Sequence, residues 1–328
     1  MELDNYSIFA FVKTEVGNDV NLALSILKKG DVVAVPTETV YGLAAIARNE
    51  NAVRKIFEIK KRPLSNPLIL HVDSFDKLNR FVLNIPKIFN ELALKYCPGP
   101  LTFLLDKSKN VPDIITAGSK KVAIRVPNHP LTLELIQLIG EPIAAPSANL
   151  YGQLSPTTSE HVLKQLEGRI TYILEGGACS QGIESTIIGM ENNEVVIYRL
   201  GIISPEDLSE VLGYLPGLKI HANELPVTSG MLPYHYSPST SCSYLNPNQE
   251  IDLNAGYLFY TKQNSAIESR FSFYLSENGD LNEAAKNLYA TLHEMDQLTL
   301  SHIYIEKVPS HGIGNAINDR ISRAVAKY

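Results

Sequence analysis

From Tyr214 to Ser243 the chain reads YLPGLKIHANELPVTSGMLPYHYSPSTSCS, a stretch rich in proline, serine and tyrosine that keeps neither a helical nor a strand period. Such a segment cannot bury a continuous apolar face, so it reads as a linker between two packed units. The division expected is a first unit over 1–213, a connection over 214–243 and a second unit over 244–328. Both are of ordinary domain size.

Each unit alternates helical and strand patterns. Leu22, Ala23, Ile26 and Leu27 recur at helical spacing between a cap at Asn18 or Asp19 and Gly30. DVVAVPTETVYGLAA then starts as a strand and breaks at Pro36, which leaves Thr-Glu-Thr in a loop at a strand end, where ligands often bind. Val53, Ile56 and Phe57 mark a second helix that Pro63 forbids from continuing far past Lys60. Strand-like runs follow: PLILHV, LTFLLDK, VAIRVP, PIAAPSA, ITYILEGG, STIIGM and EVVIYRL, with helices through HPLTLELIQLIG and TSEHVLKQLEG. Beyond the linker, AGYLFYT, RFSFYLS and HIYIEKV read as strands. Asp280 caps a helix striped by Leu281, Ala284, Ala285, Leu288, Leu292 and Met295, and Ile317, Ile321, Ala324 and Val325 line a last one. The class is mixed α/β.

Bulk charge narrows the function. A formal charge of -6 argues against a surface that grips polyanions throughout, so any anion site must be local. Three scattered cysteines, Cys97, Cys179 and Cys242, fit neither a disulfide framework nor a Cys-x-x-Cys site, which points to a reducing, cytoplasmic setting. MELDNYSIFA has no basic leader, and no apolar run approaches the ~20 residues of a membrane span.

The familiar phosphate-loop, dinucleotide, zinc-protease and nucleophile-elbow motifs are absent, and GIGNAIND at Gly312 reads as a tight turn into the last helix. What remains is a scatter of polar residues at strand ends. Lys60, Lys61 and Arg62 offer charge suited to phosphate. Arg125 interrupts an apolar strand, where burial demands either an internal carboxylate or a cleft with an anion. Ser147, Asn149 and Ser155, then Ser185 and Thr186, put hydroxyls and an amide where strands give way to loops. Taken singly, each fits an ordinary structural role: a solvated helix end, a core histidine at His71, plain turns.

Taken together they resemble a known family. PTETVYGLA (36–44), KKRPLSNPL (60–68), PGPLTFLL (98–105), VAIRVPNHP (122–130), PIAAPSAN (142–149), SPTT (155–158) and GIESTII (182–188) occur in one order. This series resembles the YrdC-like domain of threonylcarbamoyl-AMP synthases, and SGMLPYHYSP with AINDRISRAVA is similar to their two-domain form. The resemblance implies a YrdC-like twisted mixed sheet around a basic concave cavity, followed by a smaller Rossmann-like α/β domain. It implies that L-threonine, bicarbonate and ATP, with magnesium, give L-threonylcarbamoyl-AMP and pyrophosphate. The product would pass to tRNA threonylcarbamoyltransferase proteins for modification of an adenosine beside the anticodon, with weak contact to tRNA at most.

Carried over by position, the resemblance places Thr39, His71, Arg125 and Ser185 against threonine. It places Arg62, Asn66, Ser147, Ser155, Arg199, Tyr236 and the backbone of Ala145 against ATP. Lys60 and Arg62 would carry catalysis by neutralising charge, Arg54 would add charge at the rim, and no protein-held metal is implied. Two departures stand out: Lys121 replaces a usual threonine or serine, and TSGM replaces Pro-Gly-Met. The alternative is a non-catalytic double-stranded RNA or tRNA-binding module, which the acidic balance disfavours. A carbamoyl-transfer enzyme of hydrogenase maturation would need Cys-x-x-Cys pairs that this chain lacks.

Overall fold

The computed structural model describes residues 13–220, 228, 236–246, 250–262 and 269–326. MELDNYSIFA, the Ser-Gly-Met of TSGM and the Pro-Tyr-His of PYHYSP lie outside the described residues.

Strands β1 (Glu15–Gly17), β2 (Val33–Val35), β3 (Gly42–Ile46), β4 (Ile69–His71), β5 (Leu101–Asp106), β6 (Lys121–Arg125), β7 (Ile143–Ala144), β8 (Tyr172–Leu174), β9 (Thr186–Glu191), β10 (Glu194–Arg199) and β11 (Gly217–Leu218) build one mixed sheet. Its order is β1-β8-β2-β3-β7-β4-β6-β5-β9-β10-β11. A second, parallel sheet is made of β12 (Cys242–Tyr244), β13 (Gly256–Phe259), β14 (Ser272–Tyr274) and β15 (Ile303–Ile305), in the order β12-β15-β13-β14. The helices are α1 (Val20–Lys28), α2 (Glu50–Lys60), α3 (Lys87–Tyr96), α4 (Asp113–Thr116), α5 (Pro130–Ile139), α6 (Ser159–Leu166) and α7 (Pro205–Leu212) beside the large sheet, then α8 (Leu281–Met295) and α9 (Gly314–Val325) beside the small one.

Local chemistry explains the boundaries. Asp19, one of the two caps expected, accepts from the backbone N–H groups of Asn21 and Leu22 and starts α1. Asp280 does the same for α8 through Asn282 and Glu283. Gly140 ends α5 in the left-handed region. β5 and β6 are buried on both faces, and so read as continuous apolar runs. The structure differs from the sequence reading at the edges of the linker. Gly217 and Leu218 pair with Val196 and Ile197, and β12 begins at Cys242. Strands of two or three residues are too short to leave a periodic trace.

The two units share one apolar core, in which Ile183 and Tyr236 join Leu288, Tyr289 and Ile321. Gly182 sets how closely they approach: a Cβ there would lie 2.4 Å from both the Cα and the carbonyl oxygen of Lys286 in α8. Across the same junction the imidazoles of His161 and His293 stack with centroids 3.9 Å apart. Burial pushes His161 down to about 3 and His293 down to about 4, with each other's charge or that of Lys164 adding to the effect.

His71 is likewise lowered to about 3, by burial first and Arg125 second. The unfolded chain takes up these protons near pH 6.5, whereas the folded protein resists them until pH 3–4. Stability should therefore be complete above pH ~6.5 and drain away as pH falls through that window. Thermal melts at pH 7 and 4.5 check this. The expected result is a steep fall that His161→Asn makes shallower, and equal melting temperatures would refute the neutral, buried state of these rings.

Candidate active site

Where the large sheet's central strands end, their side chains meet around a cavity of about 50 Å³. The loop after β2 contributes Thr37, Thr39 and Val40, and β3 opens with Gly42. Ile69 and His71 come from β4, Arg125 from β6, and Ala145, Pro146 and Ser147 follow β7. Arg62 lies just beyond α2, Glu184 just before β9, and Arg199 at the end of β10. Tyr236, from the connection between the units, closes the ring.

The three consecutive cations go to three different places because a helix ends among them. Lys60 is the last residue of α2 and is turned inward, 1% exposed. Its ammonium donates to the carbonyl oxygens of Ser147 and Asn149 and to the Asn149 side-chain oxygen, and burial drives its pKa well down. It braces the back of the wall and is not among the residues that line the cavity. Lys61 takes the left-handed conformation that stops the helix and stays exposed. Arg62 lines the cavity, held by the Asn66 side-chain oxygen at 2.6 Å and the Pro67 carbonyl at 2.8 Å. Burial lowers it to about 10.

Arg125 realises both options that its sequence context left open. Strand register sets it beside His71 on one side and Thr102 on the other. Its Nη1 donates to Thr39 Oγ1 at 2.9 Å and its Nε to the Gly99 carbonyl, while Nη2 lies 2.7 Å from Glu38 in an ion pair. His71 is 5% exposed, and its Nδ1 has no well-formed hydrogen bond among the described residues. With its pKa near 3 the ring is neutral, so it offers the cavity a hydrogen bond without adding charge.

Eight of the expected residues line the cavity: Thr39, Arg62, His71, Arg125, Ala145, Ser147, Arg199 and Tyr236. The others stand one layer behind. Asn66 holds Arg62; Ser155 donates to Glu184 at 2.7 Å; Ser185 accepts from Arg199 through its carbonyl and hydroxyl and shares a hydrogen bond with Thr102. Asn149 is fully buried, its amide nitrogen bonded to the Leu150 and Gln153 carbonyls, and Thr186 donates to the Ile203 carbonyl. Arg54 lies on the exposed face of α2, and Lys121 sits 5.9 Å over the Tyr198 ring; neither lines the cavity.

Sequence reasoning passed over the acidic members. Glu184 stands inside GIEST and Glu38 inside TET, between the hydroxyls that drew notice. Glu184 accepts from Ser155, from Tyr289 of α8 and from Arg320 of α9, whose Nε is 2.8 Å away. Burial alone would raise its pKa, but Arg320 and then Arg199 hold it below the usual carboxylate value. The signal for Arg320 was an arginine on the buried side of the last helix. Tyr236, 2% exposed, holds a left-handed φ of 68°, with the Arg320 guanidinium 5.1 Å from its ring centroid.

Comparison with known proteins identifies the family. A family model described as "Telomere recombination" (Sua5, YciO, YrdC) matches residues 25–201, and one described as "Threonylcarbamoyl-AMP synthase, C-terminal domain" matches 203–326. The threonylcarbamoyl-AMP synthase of Pyrococcus abyssi is 37% identical, with 93% of each chain covered. That of Bacillus subtilis is 36% identical over 92% of this chain and 91% of its own. The crystal structure of P. abyssi Sua5 complexed with L-threonine superposes with a TM-score of 0.85 at 33% identity, covering 96% of this chain and 97% of that one. The chain belongs to the two-domain threonylcarbamoyl-AMP synthase family.

Proposed function

We propose that this chain condenses L-threonine, bicarbonate and ATP into L-threonylcarbamoyl-AMP, releasing water as the amine is carboxylated and pyrophosphate as the carboxylate is adenylated. The observation that carries the reading is the convergence of Arg62, Arg125 and Arg199 on one cavity whose lining carboxylate, Glu184, is itself ion-paired. The reaction brings two anions together: an oxygen of the threonine N-carboxylate bonds to the α-phosphorus as the bond to the departing pyrophosphate breaks. Fixed cations lower the repulsion, and no covalent nucleophile is needed.

In this reading Arg125 and Thr39 take the threonine carboxylate and hydroxyl, and neutral His71 accepts a hydrogen bond at the amine being carboxylated. Arg62, Arg199, Ser147 and the Ala145 backbone take the nucleotide. Lys60 contributes by shaping the Ser147–Asn149 wall. A cavity of about 50 Å³ is far below the ~300 Å³ of typical ligand sites, so the pocket must widen to admit ATP, and Tyr236, carried by the connection between the units, is the group we assign to open and re-close it. The same reading divides the chain into a catalytic unit, a lid and a second unit at the expected 1–213, 214–243 and 244–328, adjusted so that β11 (Gly217–Leu218) stays with the first unit and β12 (Cys242–Tyr244) with the second. Support comes from the two sheets, which share no strand.

Magnesium enters as part of the substrate, on the triphosphate. Among the described residues no three acidic, histidine or cysteine side chains gather as a metal site, and Glu38 and Glu184 are each paired with arginine. The labile product calls for a nearby acceptor, which we take to be tRNA-modifying transferases in the cytoplasm. In the described residues no helix is long and apolar enough to cross a membrane.

Purified protein given labelled threonine, bicarbonate and Mg-ATP should yield the adenylate by mass spectrometry together with pyrophosphate. ATP turnover that is indifferent to threonine would reject the reading. Arg125→Ala should abolish threonine binding by calorimetry. It should also cost about 3–5 kcal/mol of stability, because Glu38 is left buried without its cation. Unchanged threonine affinity would remove the carboxylate assignment.

A further inference from the structure

We propose that Arg320 of α9 is a positioning residue for the nucleotide: it neutralises Glu184, and ATP affinity depends on that neutralisation. The inference rests on the ATP-site reading above. Glu184 puts a carboxylate into the wall of a cavity meant for a triphosphate, a placement that should repel the ligand. The second unit cancels it. Arg320, 1% exposed, gives its Nε to Glu184 at 2.8 Å, its Nη2 to the Leu200 carbonyl at 2.7 Å and its Nη1 to Asp319 at 2.7 Å. Asp319 in turn pairs with Arg323 at 3.0 Å, so the cluster has its own charge balance.

Glu184 thus reports whether the second unit is docked. With α8 and α9 in place, its carboxylate is held by Arg320 and the Tyr289 hydroxyl on one side, and it pins the Ser155 hydroxyl on the other. His293 of α8 lies 3.1 Å from the Ser155 carbonyl, so the second unit holds the same loop directly through α8 as well as indirectly through Glu184. Arg320 also lies over the ring of Tyr236, so the residue that neutralises the wall touches the residue that closes it. Undocking would expose a negative charge within reach of Arg199 and loosen Tyr236 in one movement. The second unit therefore sets nucleotide affinity without offering a group to the nucleotide.

The test is a double-mutant cycle of Arg320→Met and Glu184→Gln, read as the KM for Mg-ATP, kcat and melting temperature. Arg320→Met should raise the ATP KM at least tenfold while changing the threonine KM less than threefold. Adding Glu184→Gln should bring the ATP KM back to within about threefold of wild type, because the charge that needed cancelling is gone. A mere packing role predicts the opposite: both variants equally impaired, with loss following melting temperature, and that result would overturn the proposal.

Should Arg320→Met fail to fold, the folded double variant decides: near-native ATP affinity supports the proposal and weak affinity overturns it. Should neither fold, Arg320→Lys decides: a lysine keeps the charge beside Glu184, so an ATP KM within about threefold of wild type supports the proposal and a tenfold rise overturns it. If the wild-type protein forms no adenylate, the function is wrong; if it does and the cycle behaves otherwise, only the role of Arg320 is wrong.

Discussion

Arg62→Ala should lower kcat/KM for ATP by roughly 10- to 150-fold, the kinetic equivalent of losing one charge-assisted contact of about 1.5–3 kcal/mol. Arg62 is buried in the cavity wall and fixed by Asn66 and Pro67, so its guanidinium is presented rigidly to whatever enters. No reorganisation is then needed when the triphosphate arrives, which is where fixed charges gain most. The threonine KM should move much less, since Arg62 touches none of the groups around Arg125. Steady-state kinetics with each substrate varied in turn separates the two, and an unchanged ATP dependence would remove Arg62 from the phosphate site.

Gly182→Ala should drive the two units apart. The residue sits at φ 79°, and an added Cβ would approach the Lys286 backbone at 2.4 Å and the Ala285 carbonyl at 2.7 Å. Left-handed strain of about 1–2 kcal/mol adds to overpacking of about 1–3 kcal/mol, for a total of about 2–5 kcal/mol. Because backbone cannot yield as a flexible side chain can, α8 should be pushed off the loop that carries Glu184. Gly118→Ala is the matched control: φ is similar at 77°, yet nothing lies within 4 Å of the added carbon. It should cost only the backbone term and leave ATP affinity intact. Melting curves and limited proteolysis of both variants check this; equal destabilisation would mean that the close approach does not hold the units together.

How much of this was legible beforehand depended on whether the signal was local. α1 and α8 were readable because an aspartate cap and a 3.6-residue stripe are both written within one turn or two. β5, β6 and β9 were readable as apolar runs, but their adjacency was not, since β5 lies between β6 and β9 only in the folded sheet. The site followed the same rule. Arg125 stood out as a charge in a strand, whereas the different fates of Lys60 and Arg62 depended on a helix terminus two residues wide. Arg320 stood out only as an arginine on an apolar helix face; its partner was not legible, because Glu184 is 136 positions away. The resemblance named the reaction; only the fold shows that the carboxylates beside the cavity, Glu38 and Glu184, are each paired with an arginine.

The strand order has one more consequence. β1 pairs with β8, and β4 sits between β7 and β6, so neighbours in space are synthesised far apart in time. Thr39, Arg125, Arg199 and Tyr236 come together only after nearly the whole large sheet has closed. Non-local closure of this kind is slow. The site should therefore be among the last features of the large sheet to form, later than its individual helices and its tight hairpin, β9–β10.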